Sequence, residues 1–231
     1  MRFVTFVAMV FVAVPAYGQD NDAEKLYRTM EKKVRTAKAI HVVMEGEFSG
    51  EGKKGKLSAT LDMAEGNKVR LQMNGAFDGT DIKVVSVSDG KATHTTYNGQ
   101  STGKDLPPEE GDFEKALGIF ARAGMLAMMR SQPRGDNKEA FDLDKLLAIK
   151  DFKAGAKEKV GTHDTQIVQY NLDLGKEGKA KVSLWIDTKT NLPVKRELMV
   201  DDNGKNIHIT ETISAFDLNP KLDPKLYELP K

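Results

Sequence analysis

The chain has 231 residues, with 35 Lys and Arg against 34 Asp and Glu, and no Cys. The near-zero net charge excludes a basic nucleic-acid footprint as the driver of function. The missing Cys excludes disulfides, thiolate metal sites, iron–sulfur clusters and a Cys nucleophile.

Arg2 is followed by an apolar run from Phe3 to Val14, broken only by Thr5, and then by Pro15-Ala16-Tyr17-Gly18. A short charged start, an apolar middle and a small-residue exit make a secretory signal, with a cut after Gly18. The run is too short for a comfortable membrane span. Residues 1–18 are therefore expected to be a signal peptide, and 19–231 one domain of normal size for a mainly β fold. The expected location is an exported compartment, a bacterial periplasm.

Asn21 and Glu24 have the spacing of a helix N-terminus. Leu26, Met30, Val34 and Ala37 then form one apolar stripe, while Lys25, Arg28, Glu31, Lys32, Lys33 and Arg35 occupy the remainder. This helix is expected to bury one face and show the other to water. From Ile40 the period becomes two. Strands are predicted at His41–Ser49, Lys56–Met63, Lys68–Asn74, Ile82–Ser88 and Lys91–Tyr97. Asp89-Gly90 predicts a two-residue type I′ hairpin, because that turn needs positive φ. Close succession without helices predicts an antiparallel meander.

A loop with Pro107-Pro108 leads to a helix predicted over Asp112–Arg130. Between Ala116 and Met129 its only charge is Arg122, so it has no polar face and must be buried. A Pro/Gly loop over Ser131–Asn137 and a short helix over Asp142–Ile149 follow. Asp142 and Asp144 read as acidic residues favouring the start of that helix. Strands then return at Phe152–Val160, Thr165–Leu174, Lys179–Asp187, Pro193–Val200 and Lys205–Phe216, with a tight turn at Asn203-Gly204. The tail from Leu218 is expected to run extended along the domain. The fold class predicted is α+β, mainly β: one curved antiparallel sheet of about ten strands, its concave apolar face covered by helices.

Catalytic signals are weak. There is no G-x-S-x-G, H-E-x-x-H or P-loop pattern. His41, His94, His163 and His208 are scattered and none pairs at metal-ligand spacing. No enzyme, cofactor or metal is expected. The Met-rich central helix could instead be a movable lid over an apolar cavity, since Met adapts to irregular ligands. The positions expected to line that cavity are Val69, Leu71, Met73, Leu184 and Ile186 on the strands. On the helix they are Leu117, Phe120, Leu126 and Met128.

Several stretches carry a family resemblance. They are the exported start, Ala23-Glu24-Lys25-Leu26-Tyr27 leading into the first strand, and Val69-Arg70-Leu71-Gln72-Met73. Further on come Leu184-Trp185-Ile186-Asp187, Thr190-Asn191-Leu192-Pro193-Val194 and the closing run from Phe216 to Pro230. In these the chain resembles the periplasmic outer-membrane lipoprotein-carrier family, the LolA/LolB-like fold. The resemblance implies a half-open β-barrel of about eleven strands, closed by helices around an apolar cavity for acyl chains. It also implies a lid held by an Arg on an early strand, and Arg70 lies in the matching kind of segment. The function implied is a non-catalytic carrier that shields acyl chains of lipid or lipoprotein. The alternative is a sensor or protein-interaction module on the same fold. The partners implied are an acyl chain and a membrane-associated protein, with no nucleic acid, the chain acting as a monomer.

Overall fold

The computed structural model describes residues 19–102, 107–109, 111–130, 142–175, 178–202 and 205–230, the side chains of 19, 127–130, 202 and 205 excepted. The expected signal segment 1–18, the loop over 131–137, the Asn203-Gly204 turn and the side chain of Met128 lie outside the described residues.

Helix α1 (Gln19–Arg35) precedes six strands: β1 (Ala39–Gly50), β2 (Lys53–Ala64), β3 (Lys68–Phe77), β4 (Thr80–Asp89), β5 (Thr93–Tyr97) and β6 (Gln100–Ser101). Helices α2 (Asp112–Arg130) and α3 (Leu143–Leu146) follow. Then come β7 (Ile149–Val160), β8 (His163–Asp173), β9 (Lys179–Asp187), β10 (Pro193–Asp202) and β11 (Lys205–Leu218). Among the described residues these strands form one open antiparallel sheet of 11, in the order β6-β5-β4-β3-β2-β1-β11-β10-β9-β8-β7. The two meanders join where β1 pairs with β11, with Met44 opposite Ile213 and Gly46 opposite Glu211. Alternation in sequence missed only β6, which is two residues long.

Register makes the inner face continuous. Met63, Leu61 and Ala59 on β2 face Val69, Leu71 and Met73 on β3. On the other side Leu184 and Val182 on β9 face Arg196 and Leu198 on β10. The side chains of one phase thus line one face, as the two-residue period requires. Helix α1 covers this face at β7 and β8, where Tyr27 packs edge-on to Tyr170 with ring centroids 4.9 Å apart. Tyr27, Met30 and Val34 are fully buried. Side chains of this size each contribute roughly 1.5–3 kcal/mol through burial. Among the described residues no helix is long and apolar enough to cross a membrane.

Three local expectations need correction. Helix α1 already runs at Gln19, so Asn21 sits inside it and does not cap it. Glu31 is not on the wet face: it is 5% exposed, because Arg122 of α2 reaches it. The Asp89-Gly90 pair is no type I′ turn. Only Gly90 has positive φ, and Asp89 ends β4 with its carboxylate accepting from Lys91 and Ala92 N–H. Two-residue turns with both φ positive, as type I′ requires, occur instead at Glu51-Gly52, Asp78-Gly79 and Asn98-Gly99. The tail is extended as expected except for a 3-10 turn, Pro224–Tyr227, which buries Tyr227 against the outer face of β3 and β4.

At the free edge, β7 carries Lys150, Lys153, Lys157 and Lys159 and two breaks in register. Charge and irregularity of this kind discourage another strand from pairing there.

Candidate ligand-binding face and the helix that covers it

The central helix is buried, as its sequence demands, but it is not continuous. Gly124 has φ 89° and ψ −176°, which divides α2 into a segment before it and a segment from Met125 onward. Such a break withdraws the i→i−4 partners of the peptide groups around it, and buried groups must find others. The sheet supplies them. Ala121 O accepts from Arg196 Nη2 at 3.0 Å, and Arg122 O accepts from the Tyr170 hydroxyl at 2.7 Å. Beyond the break, Leu126 N–H donates to Glu211 Oε1 at 2.9 Å. Arg196 Nη1 and Glu211 Oε2 close the arrangement at 3.1 Å, both residues fully buried. Strands β8, β10 and β11 thus clasp the broken helix at its break.

Gly124 is required by this clasp twice over. Its φ lies in the left-handed region, and a Cβ there would collide with the Glu211 carboxylate and the Arg196 guanidinium. Burial, opposed in part by the Arg196 guanidinium, pushes the Tyr170 phenol up to about 12, so its hydroxyl stays a donor to Arg122 O at neutral pH.

A second clasp holds the segment before the break. Arg122 Nε donates to Glu31 Oε1 at 2.7 Å, Nη1 to Leu143 O and Leu147 O, and Nη2 to Asp144 Oδ1 at 2.5 Å. Burial disfavours the Arg122 cation, but hydrogen bonds to Glu31 and Asp144 outweigh this and raise its pKa. Asp142 caps α3 by accepting from Asp144 and Lys145 N–H, which places Asp144 for Arg122. The first half of α2 is therefore tied to α1 and α3. The polar tether described for the second half is the single bond from Leu126 to Glu211.

The expected lining residues fall into two groups. Leu117, Phe120, Leu184 and Ile186 are fully buried, Phe120 standing edge-on to Phe216 at 5.4 Å. They are packed core. Leu71 is also buried, while Val69 and Met73 on β3 are half-buried on the same face. Leu126 is half-buried beyond the break and touches the same spot as Leu57, since a Cβ on Gly46 would meet both. Around it the inner face stays apolar and half-buried through Phe48, Leu57, Phe77, Ile207 and Ile209. This end of the sheet is covered only in part.

Arg70, expected to hold the helix, points away from it. It lies on the opposite face of β3 from Leu71, and its Nη1 donates to Leu226 O of the C-terminal turn at 3.3 Å. Alternation decides this, because residues 70 and 71 must point to opposite faces. The helix-holding arginine is Arg196, on a late strand. Sequence reading missed Arg196, Glu211 and Tyr170, although each shares its strand's apolar phase, Arg196 with Leu198 and Glu211 with Ile209 and Ile213.

Polar clefts lie elsewhere. One of about 710 Å³, between the end of α1 and the starts of α2 and α3, is lined by Arg35, Glu114, Lys115, Asp142 and Lys145 among others. His41 pairs with Asp62 at 2.7 Å and His163 with Asp187 at 2.5 Å on the outer face. Among the described residues no three metal-ligating side chains come together.

No family model and no curated protein matches the chain in sequence. Solved structures do match. LprF from Mycobacterium bovis is similar with a TM-score of 0.52 and 14% identity, over 89% of this chain and 98% of that one. The fold is shared with LprF. Two further likenesses are weaker. The MucA/MucB complex of Pseudomonas aeruginosa matches with a TM-score of 0.42 and 12% identity, over 90% of this chain and 61% of that one. A putative outer membrane lipoprotein-sorting protein domain from Vibrio parahaemolyticus matches with a TM-score of 0.35 and 13% identity, over 89% and 97%.

Proposed function

We propose that the protein is an exported, non-catalytic binding protein that shields the acyl chains of a lipid or lipoprotein against the inner face of its sheet. The observation that carries this reading is the division of α2 at Gly124. One half is bound into the core by Arg122. The other starts at the buried Met125, and its one polar tether among the described residues is the bond from Leu126 N–H to Glu211, beside an apolar, half-covered end of the sheet. Raising that second half would uncover the inner face beside Gly46 and Leu57 for a ligand. Apolar burial at about 25 cal/mol per Å² supplies the affinity, with no polar motif required for it. The residues proposed to line the opened site are Leu71, Met73 and Leu126, with Val69 further along the same face, while Leu117, Phe120, Leu184 and Ile186 stay packed with the fixed half of α2.

Native mass spectrometry of gently purified, exported protein tests this. The expected result is a chain lacking residues 1–18 that carries a lipid-sized adduct, lost when the protein is delipidated. A chain that carries no adduct and binds no apolar probe would overturn the reading. A co-purifying protein with an empty inner face would instead favour an interaction module.

A further inference from the structure

The 35 basic and 34 acidic residues balance over the chain, but three segments bring lysines to one place, the turn between β9 and β10. Lys33, near the end of α1, donates from Nζ to Thr190 O at 2.9 Å. Thr188 N–H donates to Asp164 O at 2.9 Å, which joins the β7–β8 hairpin to the same turn, and Lys159 Nζ pairs with the Asp164 carboxylate at 2.8 Å. The turn itself carries Lys189. Lys32 adjoins Lys33 on α1, and Lys157 precedes Lys159 by two residues on β7. Lys157 and Lys159 stand opposite Gln166 and Asp164, in phase with Val168 and Tyr170, so they rise on the side of the sheet that α1 covers. All five lysines are exposed. The acids beside these turns are engaged: Asp164 by Lys159, Asp187 by His163 and the N–H groups of Lys189 and Thr190, and Glu158 by the Trp185 ring N–H. Asp20 and Asp22 lie in the first turn of α1, at the other end of that helix.

We propose that Lys32, Lys33, Lys157, Lys159 and Lys189 form a docking surface for an anionic phospholipid membrane. Protection of a sheet edge accounts for Lys157 and Lys159, but not for the other three, which lie on no edge strand. A protein partner is anchored by aromatic and arginine side chains seated in pockets. Here the groups are lysines on flexible stems around two turns, and the neighbouring Arg35 lines the cleft that Asp142 and Asp144 also line. Compact ammonium groups act as point charges and suit the scattered phosphates of a lipid surface, each lysine near it strengthening binding about fivefold. The surface lies at the opposite end of the strands from the β1–β2 and β10–β11 turns, beside which the inner face is half-covered. The inference therefore stands apart from the acyl-binding reading.

The test is co-sedimentation of the exported protein with vesicles of phosphatidylglycerol and phosphatidylcholine in equal parts, against vesicles of phosphatidylcholine alone. At about 20 mM NaCl the protein should bind the anionic vesicles at least about tenfold more tightly than the neutral ones, and about 500 mM NaCl should abolish the difference by screening. The triple change Lys32→Gln, Lys157→Gln and Lys189→Gln should weaken binding to the anionic vesicles at least about tenfold. Lys83→Gln, Lys179→Gln and Lys181→Gln remove the same charge from exposed positions on β4 and β9, and should stay within about threefold of the parent. Circular dichroism checks folding, and should the first triple variant unfold, Lys189→Gln alone should weaken binding at least about threefold. Equal losses in the two triple variants would assign the effect to net charge and overturn the proposal. Equal binding to neutral vesicles would mean lipid uptake without docking and would also overturn it. So would a parent that ignores anionic vesicles at low salt, and retention on poly-glutamate in that case would point to an acidic protein partner instead.

Discussion

Arg196 on β10 and Glu211 on β11 face each other at 3.1 Å in full burial, and each also grips the backbone of α2 on a different side of Gly124. An ion pair in such a place is expensive to desolvate, and removing one partner strands the other. Arg196→Met or Glu211→Leu should each cost about 3–5 kcal/mol in urea unfolding. The double variant should lose at least about 2 kcal/mol less than the sum of the two, since no buried charge is left alone. It should still fall short of the parent, because Ala121 O and Leu126 N–H lose their partners at about 1–3 kcal/mol each. Additive losses would show that the two side chains act independently.

Gly124→Ala tests the break itself. The substitution meets both a left-handed φ of 89° and the atoms of Arg196 and Glu211. A loss of at least about 2 kcal/mol is expected, against the gain of about 1 kcal/mol usual for Gly→Ala inside a regular helix. Stabilisation on this change would mean that α2 is continuous.

Much of the fold was legible because burial on one face forces a period. Val182, Leu184 and Ile186 announce their strand, and the unbroken apolar stretch of α2 announces a buried helix. The functional detail was not, because it consists of exceptions to those periods. Gly124 sits between Ala123 and Met125 and leaves the helical pattern intact by composition. Arg196 reads as one more charge between Lys195 and Glu197, although its phase with Leu198 marks it as inward. Arg122 reads as an interruption of an apolar helix, and its partner Glu31 as one more charge on the wet side of α1. Their meeting depends on α1, α2 and α3 converging, which no local pattern encodes. Arg70 failed in the opposite way, since the likeness of its segment outweighed the parity that points it outward.

Arg122 offers a comparison of burial against distance. Asp144 is the nearer carboxylate at 2.5 Å but its side chain is 84% exposed, while Glu31 at 2.7 Å is 7% exposed. Glu31→Ala should cost about 3 kcal/mol or more, because it leaves a buried guanidinium without its buried counter-charge. Asp144→Ala should cost less than about 1 kcal/mol, as exposed pairs do. Thermal or urea unfolding of the two variants checks the order, and equal losses would contradict it.

Asp187 gives the acid limb of stability a local source. Burial works against its charge, but Thr190 N–H, the His163 ring and Lys189 N–H prevail and bring its pKa from the ordinary 3.8 to about 2. A carboxyl depressed in the folded state stabilises fully above its unfolded pKa, and this contribution is lost as pH falls toward the folded value. The difference in urea midpoint between the parent and Asp187→Asn should be constant above pH 4 and shrink between about pH 4 and 2. A difference that does not change over that interval would place the effect elsewhere.

The account as a whole depends on the second half of α2 leaving the sheet to admit a ligand. The chain has no Cys, so Leu57→Cys and Leu126→Cys can be introduced as a unique pair. Their side chains meet at Gly46, which brings them within reach of a short bis-methanethiosulfonate linker. Binding of N-phenyl-1-naphthylamine is then measured before linking, after linking and after reduction. The account predicts binding, loss of binding and its return. Equal binding with the helix clamped to the sheet would contradict it.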